Sequence, residues 1–328
     1  MHKLKGKDYI SLRDYSKEDI DTILEVAFEL KRKVYVGETH RLLEGKELGM
    51  LFFNPSTRTR ISFERAMSQL GGHAQFYAPE HLHVFFRESW VDTAEVMARY
   101  LDAIMIRLYR IPDQELKYGE AHNILKTMAD HSSVPVINAS DDQEHPCQVM
   151  ADLQTLIEKF GADYRRKKVA LVWCPHPRAL SPGIPHSLAI AGAKLGMNLT
   201  YAYPEGFDPD PEYIEEGKRL ARKSGGSLEI TNSISEATKN ADVIYNKSWR
   251  LIHKTVDEYL EARKALLDWR LTKKHFENAN PDAIFMNAMP MAREIDATNE
   301  IIDAPNSVIY DQAENRLHAQ KAIMSLIM

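Results

Sequence analysis

At 328 residues, with 42 basic against 47 acidic side chains and a formal charge of −5, the chain has the size of about two domains, and its charge argues against a protein built to coat nucleic acid or an anionic membrane. Hydrophobic residues (44%) and charged residues (27%) stand at values ordinary for a globular enzyme, and 15 Gly and 15 Pro are too scattered for a fibrous or low-complexity chain. Two cysteines cannot build a disulfide framework, no apolar run approaches the roughly 18–20 residues that span a bilayer, and the charged start MHKLKGKDYISLRDYS has no signal core, so a cytosolic, cytoplasmic protein is expected.

The predicted elements alternate strand and helix. Ser16 with Asp19 has the pattern of a capping box, and Ile20, Ile23, Leu24, Ala27 and Leu30 then share one helical face. The apolar run LGMLFF (48–53), closed by Asn54-Pro55, reads as a buried strand. Phe63, Ala66, Met67 and Leu70 repeat at helical spacing and stop at Gly71-Gly72. The strand-like runs HAQFY (73–77), AIMIRL (103–108) and VPVINA (134–139) follow, with helical stretches between them. A second set comprises KVALVW (168–173), NLTYAY from 198, ADVIY (241–245) and AIFMN (283–287). Short apolar strands separated by helices predict an α/β fold of two domains, each a parallel sheet flanked by helices. The boundary falls near the helix around 147–160 and the polar stretch Gly161–Lys168, dividing residues 1–150 from 151–310. The segment 311–328, DQAENRLHAQKAIMSLIM, reads as a final amphipathic helix.

Three places carry chemistry. Ser56-Thr57-Arg58-Thr59-Arg60 lies between a buried strand and a helix, where open α/β sheets bind ligands. Free N–H groups at the helix start, three hydroxyls and two guanidiniums suit a phosphate. The other reading of these residues is a helix cap beside two solvated arginines. His145-Pro146-Cys147-Gln148 again opens a helix after a strand, and its His and Gln can donate to a carbonyl oxygen. A surface His before a helix is the alternative, as is a nucleophilic Cys147, for which no base is tied to it in sequence. Arg107 ends the strand AIMIRL and points to the ligand crevice, or else is a solvated strand-end arginine. No dinucleotide glycine motif, P-loop or nucleophile elbow occurs. His81 with His83, and Cys174 with His176, lack the spacing of a closed zinc site, so neither a metal nor another cofactor is expected.

Ser56-Thr57-Arg58-Thr59-Arg60, Arg107, His145-Pro146-Cys147-Gln148 and Ala313-Glu314-Asn315-Arg316 come in the order and spacing of the carbamoyltransferases. Over nearly the whole chain the sequence resembles the aspartate/ornithine carbamoyltransferase superfamily, and its ornithine branch most. The resemblance implies an active site in the cleft between the two domains, with the last helix, 311–328, returning to the first. It implies a carbamoyl-phosphate-binding first domain and an acceptor-binding second domain, and homotrimers with shared active sites. Ser56, Thr57, Arg58 and Thr59 would hold the phosphate of carbamoyl phosphate. Arg107, His145 and Gln148 would hold its carbamoyl end, with Arg316 lining the same site. Arg107, His145, Gln148 and Thr59 are then the catalytic set. No covalent intermediate is required: an uncharged amine attacks the carbamoyl carbon and phosphate leaves, so the protein supplies position and donors.

The acceptor end departs from the ornithine pattern. Asn287-Ala288-Met289-Pro290 stands where that branch carries His-Cys-Leu-Pro, and Lys247 stands where it carries the Asp that grips an α-ammonium. No Ser-Met-Gly loop occurs. Lys247-Ser248-Trp249 and the loop from Pro175-His176-Pro177-Arg178 to Pro185-His186-Ser187 resemble the N-acetyl- and N-succinylornithine carbamoyltransferases, in which such a loop is threaded into a knot. Lys247, Trp90, Arg178, Met289 and Arg293 are therefore assigned to the acceptor, Trp90 in a loop that in the family reaches a neighbouring subunit. The expected activity is carbamoyl transfer to an ornithine-like amino acid, free or N-acylated, in arginine biosynthesis. Putrescine or aspartate as acceptor, and a non-catalytic carbamoyl-phosphate-binding homologue, are the alternatives.

Overall fold

The computed structural model describes residues 3–111 and 116–328. They form two compact units, one running to Gln154 and taking in Glu314–Met328, the other Thr155–Ala313.

In the first unit, α1 (Lys17–Tyr35) starts on the expected box: Asp19 N–H donates to the Ser16 hydroxyl at 3.1 Å, and Ser16 N–H returns to the Asp19 carboxylate at 3.0 Å. The helix buries Ile20, Ile23, Leu24, Ala27 and Leu30, the face read from their spacing. Then come β1 (Glu47–Phe52), α2 (Thr57–Leu70), β2 (His73–Tyr77), α3 (Trp90–Met97), β3 (Ala103–Arg107), α4 (Glu120–His131), β4 (Val136–Asn138) and α5 (Pro146–Phe160), whose residues from Thr155 on belong to the second unit. Gly71 closes α2 at φ +85°, a conformation that glycine adopts without the strain a Cβ adds. All strands are parallel, in the order β2-β1-β3-β4. Leu51, Ile104, Ile106, Leu125 and Met128 form the core beneath the sheet. β4 is shorter than the run 134–139 because Pro135 has no N–H to give a ladder.

The second unit continues with β5 (Lys168–Trp173), α6 (Gly183–Lys194), β6 (Asn198–Ala202), α7 (Pro211–Ser224), β7 (Ser227–Thr231), α8 (Ile234–Thr238), β8 (Val243–Lys247), α9 (Val256–Ala262), β9 (Ile284–Asn287), α10 (Asn299–Ile302) and α11 (Ile309–Ile327), whose last residues belong to the first unit. The parallel order is β7-β6-β5-β8-β9. Ile244, Phe285, Leu271, Ile301 and Ile309 lie in its core. Every residue of α6 but Lys194 is buried. α7 packs closely on it because Gly217 has no side chain; a Cβ there would lie 3.0 Å from the Ala189 carbonyl oxygen.

Three features differ from the sequence reading. β7 is an additional strand, at the edge of the sheet, where only Leu228 of its five residues is fully buried. β8 lies two residues later than the apolar run 241–245, because Asn246 and Lys247 continue the ladder although polar. The stretch after α5 forms a 3-10 helix, Gly161–Arg166. Among the described residues no helix is long and apolar enough to cross a membrane.

Strand order also fixes where ligands can bind. Successive strands depart to opposite sides between β1 and β3 in one sheet, and between β5 and β8 in the other. At such switch points the loops leaving the carboxyl ends part and leave a crevice.

Candidate functional site

At the first switch point, β1 delivers Ser56-Thr57-Arg58-Thr59 and β3 ends on Arg107. Asn54 locks the two exits together: its side-chain oxygen accepts Tyr109 N–H at 2.8 Å and Arg110 N–H at 3.2 Å, and its Nδ2 donates to the Arg110 carbonyl at 2.9 Å. Ser56 is the N-cap of α2, its hydroxyl accepting Thr59 N–H at 3.2 Å. The N–H groups of the first helical turn have no partner within the helix, so they and the dipole favour an anion.

Three guanidiniums stand around this helix end. Arg316 of α11 is 2% exposed. Its two terminal nitrogens donate to the Gln148 side-chain oxygen at 2.7 Å and the Thr59 hydroxyl at 3.1 Å. Burial, with the nearby charges of Arg107 and Arg58, pulls its pKa down to about 10. Arg58 is also held below its ordinary value, by burial and then by Arg107. Among the described residues no carboxylate forms an ion pair with Arg58. Arginines that depress one another are what a bound dianion would relieve. Arg60 differs from its motif reading: it pairs with Glu64 at 2.9 Å and lies 3.9 Å over the Phe76 ring, so only Arg58 of the two serves the helix end.

The third wall is the turn from Asn138 to His145. Arg107 donates to the Ala139 carbonyl at 3.0 Å, and Leu108 N–H to the Ser140 carbonyl at 3.0 Å. Ser140 is held at φ +119° while its N–H donates to the Asn138 side-chain oxygen at 2.9 Å. Asp141 meets His122 Nδ1 at 2.6 Å, and Glu144 accepts Leu12 N–H at 3.1 Å and the Ser11 hydroxyl. These buried bonds hold His145 at the amino end of α5, where its carbonyl accepts Gln148 and Val149 N–H at 3.1 and 3.3 Å. Gln148 donates one amide N–H to Asp152 at 2.8 Å while its oxygen takes Arg316, which sets the amide's orientation. The sequence reading missed Asp152 and the Asp141–His122 pair, which have no motif of their own.

Cys147 is fully buried, its Sγ donating to the Asn138 carbonyl at 3.3 Å, and burial pushes its pKa up to about 12. A thiol so raised is a poor nucleophile. Cys147→Ser is therefore expected to retain turnover within about threefold, whereas covalent catalysis would need a near-total loss. A steady-state assay on the variant distinguishes the two.

The acceptor candidates fall in several places. Lys247 ends β8, 5% exposed, in register with Trp173 at the second switch point. Arg178 is exposed, and its N–H donates to His176 Nδ1 at 3.0 Å. Met289 is half-buried at φ +44°, its N–H held by the Asn287 side-chain oxygen at 2.7 Å. Asn287 also donates to Asn246 at 3.0 Å, so this residue ties β9 to β8. Arg293 forks onto the Asp303 carboxylate, both bonds 2.7 Å, and donates to Asn299 at 2.8 Å. That local ion pair already engages its guanidinium. Trp90, in the first unit, opens α3 and packs edge-on against Phe53, ring centres 5.4 Å apart. Among the described residues no group of three or more His, Cys, Asp or Glu could hold a metal ion.

Two family models match the chain: the aspartate/ornithine carbamoyltransferase carbamoyl-P binding domain at residues 7–158, and the aspartate/ornithine carbamoyltransferase Asp/Orn binding domain at 168–327. An ornithine carbamoyltransferase of Thermococcus kodakarensis is 42% identical over 99% of this chain and 97% of its own. The solved ornithine carbamoyltransferase of Pyrococcus furiosus is 43% identical with a TM-score of 0.89, covering 99% of this chain and 98% of its own. An acetylornithine transcarbamylase solved with acetylcitrulline is 32% identical with a TM-score of 0.89, covering 98% of this chain and 99% of its own. Two parallel α/β sheets, the matched domain models and identity sustained along the whole length agree: the chain belongs to the aspartate/ornithine carbamoyltransferase family.

Proposed function

We propose that the protein transfers the carbamoyl group of carbamoyl phosphate to the amine of an ornithine-like amino acid whose α-amine is acylated. The observation that carries the first half is the convergence of Arg58, Arg107 and Arg316 on the amino end of α2. Ser56, Thr57, Arg58 and Thr59 hold the phosphate. Arg107, His145 and the Thr59 hydroxyl, which accepts from Arg316 and so has its own proton to give, face the carbamoyl oxygen. The uncharged amine attacks the carbon, the oxygen gains charge, the C–O bond to phosphate breaks, and the amine's proton leaves to solvent. Donors aimed at that oxygen, and cations at the leaving phosphate, stabilise the charge as it moves.

Lys247 supports the acylated acceptor. A cation at this edge repels an α-ammonium; at about 4 Å and an effective dielectric near 20 the Coulomb term is about 4 kcal/mol, and even about 1.4 kcal/mol is a tenfold preference. Lys247→Asp is expected to move the kcat/KM ratio of N-acetylornithine to ornithine toward ornithine by about tenfold or more. Labelled carbamoyl phosphate assayed against a panel of amines tests the reading. A wild-type preference for ornithine or putrescine overturns the acylated acceptor, and no turnover with any amine overturns the enzyme.

The assembly we infer is a homotrimer. Ile61, Phe86, Val96 and Tyr100, all in the first unit, are large apolar side chains at least half exposed, which suits a surface covered by another copy. Sedimentation equilibrium giving a monomer overturns it. The likeness to an anabolic ornithine carbamoyltransferase of Pyrococcus furiosus, 43% identical, supports a place in arginine biosynthesis.

A further inference from the structure

Arg316 reaches the amino end of α2 from another helix, and something must aim it. Gln320 follows it by four residues on α11, one helical turn, so the two side chains share a face. Gln320 is fully buried. Its amide meets its neighbours in one orientation. The oxygen accepts Arg316 Nη2 at 3.0 Å and Nε at 3.3 Å, while the nitrogen donates to the Ser62 hydroxyl at 2.6 Å and the Arg316 carbonyl at 3.3 Å. Turned the other way, the amide would set donors against the guanidinium and its oxygen against a carbonyl. Ser62, in α2, passes the contact on: its hydroxyl donates to the Thr59 carbonyl at 3.1 Å.

The Nε–Nη2 edge of Arg316 is thus closed by Gln320, and each terminal nitrogen has a further partner, Gln148 at 2.7 Å for Nη1 and the Thr59 hydroxyl at 3.1 Å for Nη2. A guanidinium is planar, so fixing one edge fixes where its other hydrogens point. Every acceptor that the guanidinium meets is a neutral oxygen. An amide can therefore aim Arg316 without cancelling its charge, which a carboxylate in the same place would do. That charge stands with those of Arg58 and Arg107 at the helix end.

We propose that Gln320 is a positioning residue for carbamoyl transfer: its amide oxygen, with the amide nitrogen anchored on Ser62, holds the Arg316 guanidinium on Thr59 and Gln148. The inference rests on the carbamoyl-transfer reading and adds to it a residue that acts only through Arg316. Its effect reaches the reaction through the Thr59 hydroxyl and the Gln148 amide, whose directions Arg316 sets.

Two variants of similar shape separate aim from charge. Gln320→Met removes the acceptor and keeps the charge of the site; it is expected to lower kcat by about 10–100-fold with carbamoyl phosphate affinity within about threefold of the parent. Gln320→Glu keeps an oxygen on the Nε edge and cancels a charge; it is expected to keep kcat within about threefold and to weaken carbamoyl phosphate binding by about tenfold or more. A glutamine that only packs gives the reverse order, since a buried carboxylate would then harm the protein more than a buried thioether. Turnover is measured with ornithine or N-acetylornithine, whichever the parent uses faster, and affinity by calorimetry with carbamoyl phosphate. Unchanged kcat in Gln320→Met, or equal losses of kcat and affinity, overturns the proposal. Ser62→Ala carries the same test should Gln320→Met not fold, because it removes one hydroxyl from a helix and puts in a better helix former. It is expected to lower kcat by about three- to tenfold at unchanged affinity, and an unchanged kcat there overturns the anchoring of the amide. A parent that turns over no amine of the panel overturns the carbamoyl-transfer reading itself, whereas failure of the Gln320 variants alone leaves that reading standing.

Discussion

Arg58→Ala is expected to weaken carbamoyl phosphate binding by about 100-fold or more. Each charge-assisted hydrogen bond to a dianion contributes about 1.5–3 kcal/mol, and a guanidinium fork offers two. At 1.4 kcal/mol per factor of ten, about 3 kcal/mol gives the stated loss. The same variant should melt no lower than the parent without ligand, because Arg58 stands beside Arg107 and Arg316 and, among the described residues, no carboxylate pairs with it. Removing one of three mutually repelling cations relieves the empty site and disables the filled one. Calorimetry would show the first effect, and thermal melts with and without carbamoyl phosphate the second. Unchanged affinity would remove Arg58 from the phosphate site. A lower melting point without ligand would make it a structural residue.

The sheet architecture was legible because parallel strands buried on both faces are apolar runs, and LGMLFF, AIMIRL and KVALVW each fall on an observed strand. The reading failed where that physics lapses. β7 sits at an edge, so SLEIT mixes polar and apolar residues and gives no run. β8 runs two residues past the apolar run because its last residues, Asn246 and Lys247, are polar yet buried. The motif of residues 56–60 was legible as a helix opening after a strand, but not that Arg60 would turn to Glu64 and Phe76, since that choice depends on β2. Asp296 belongs to no motif; a bond from Asn246, fifty residues away, ties it to β8, and local pattern says nothing of that.

His145→Ala is expected to lower kcat by about 10–1000-fold while leaving carbamoyl phosphate affinity nearly unchanged. A donor that meets an oxygen as it gains charge acts mostly in the transition state, and loss of one such donor typically costs about 100-fold or more. The structure adds a reason why the effect should fall on kcat. His145 is 8% exposed and sits at the end of a turn in which Asn138, Asp141 and Glu144 make buried bonds to other partners. Those bonds, with the Gln148–Arg316 bond behind them, are expected to keep the turn and α5 in place when the ring is removed. Truncating the ring should cost a donor and little structure. Steady-state kinetics, with the phosphate-site affinity measured separately by calorimetry, divides the two possibilities. Turnover that survives undiminished makes His145 a packing residue and leaves Arg107 and Thr59 to stabilise the oxyanion. Equal losses in affinity and turnover mean that the turn has collapsed, and that the ring itself holds residues 138–145 in place.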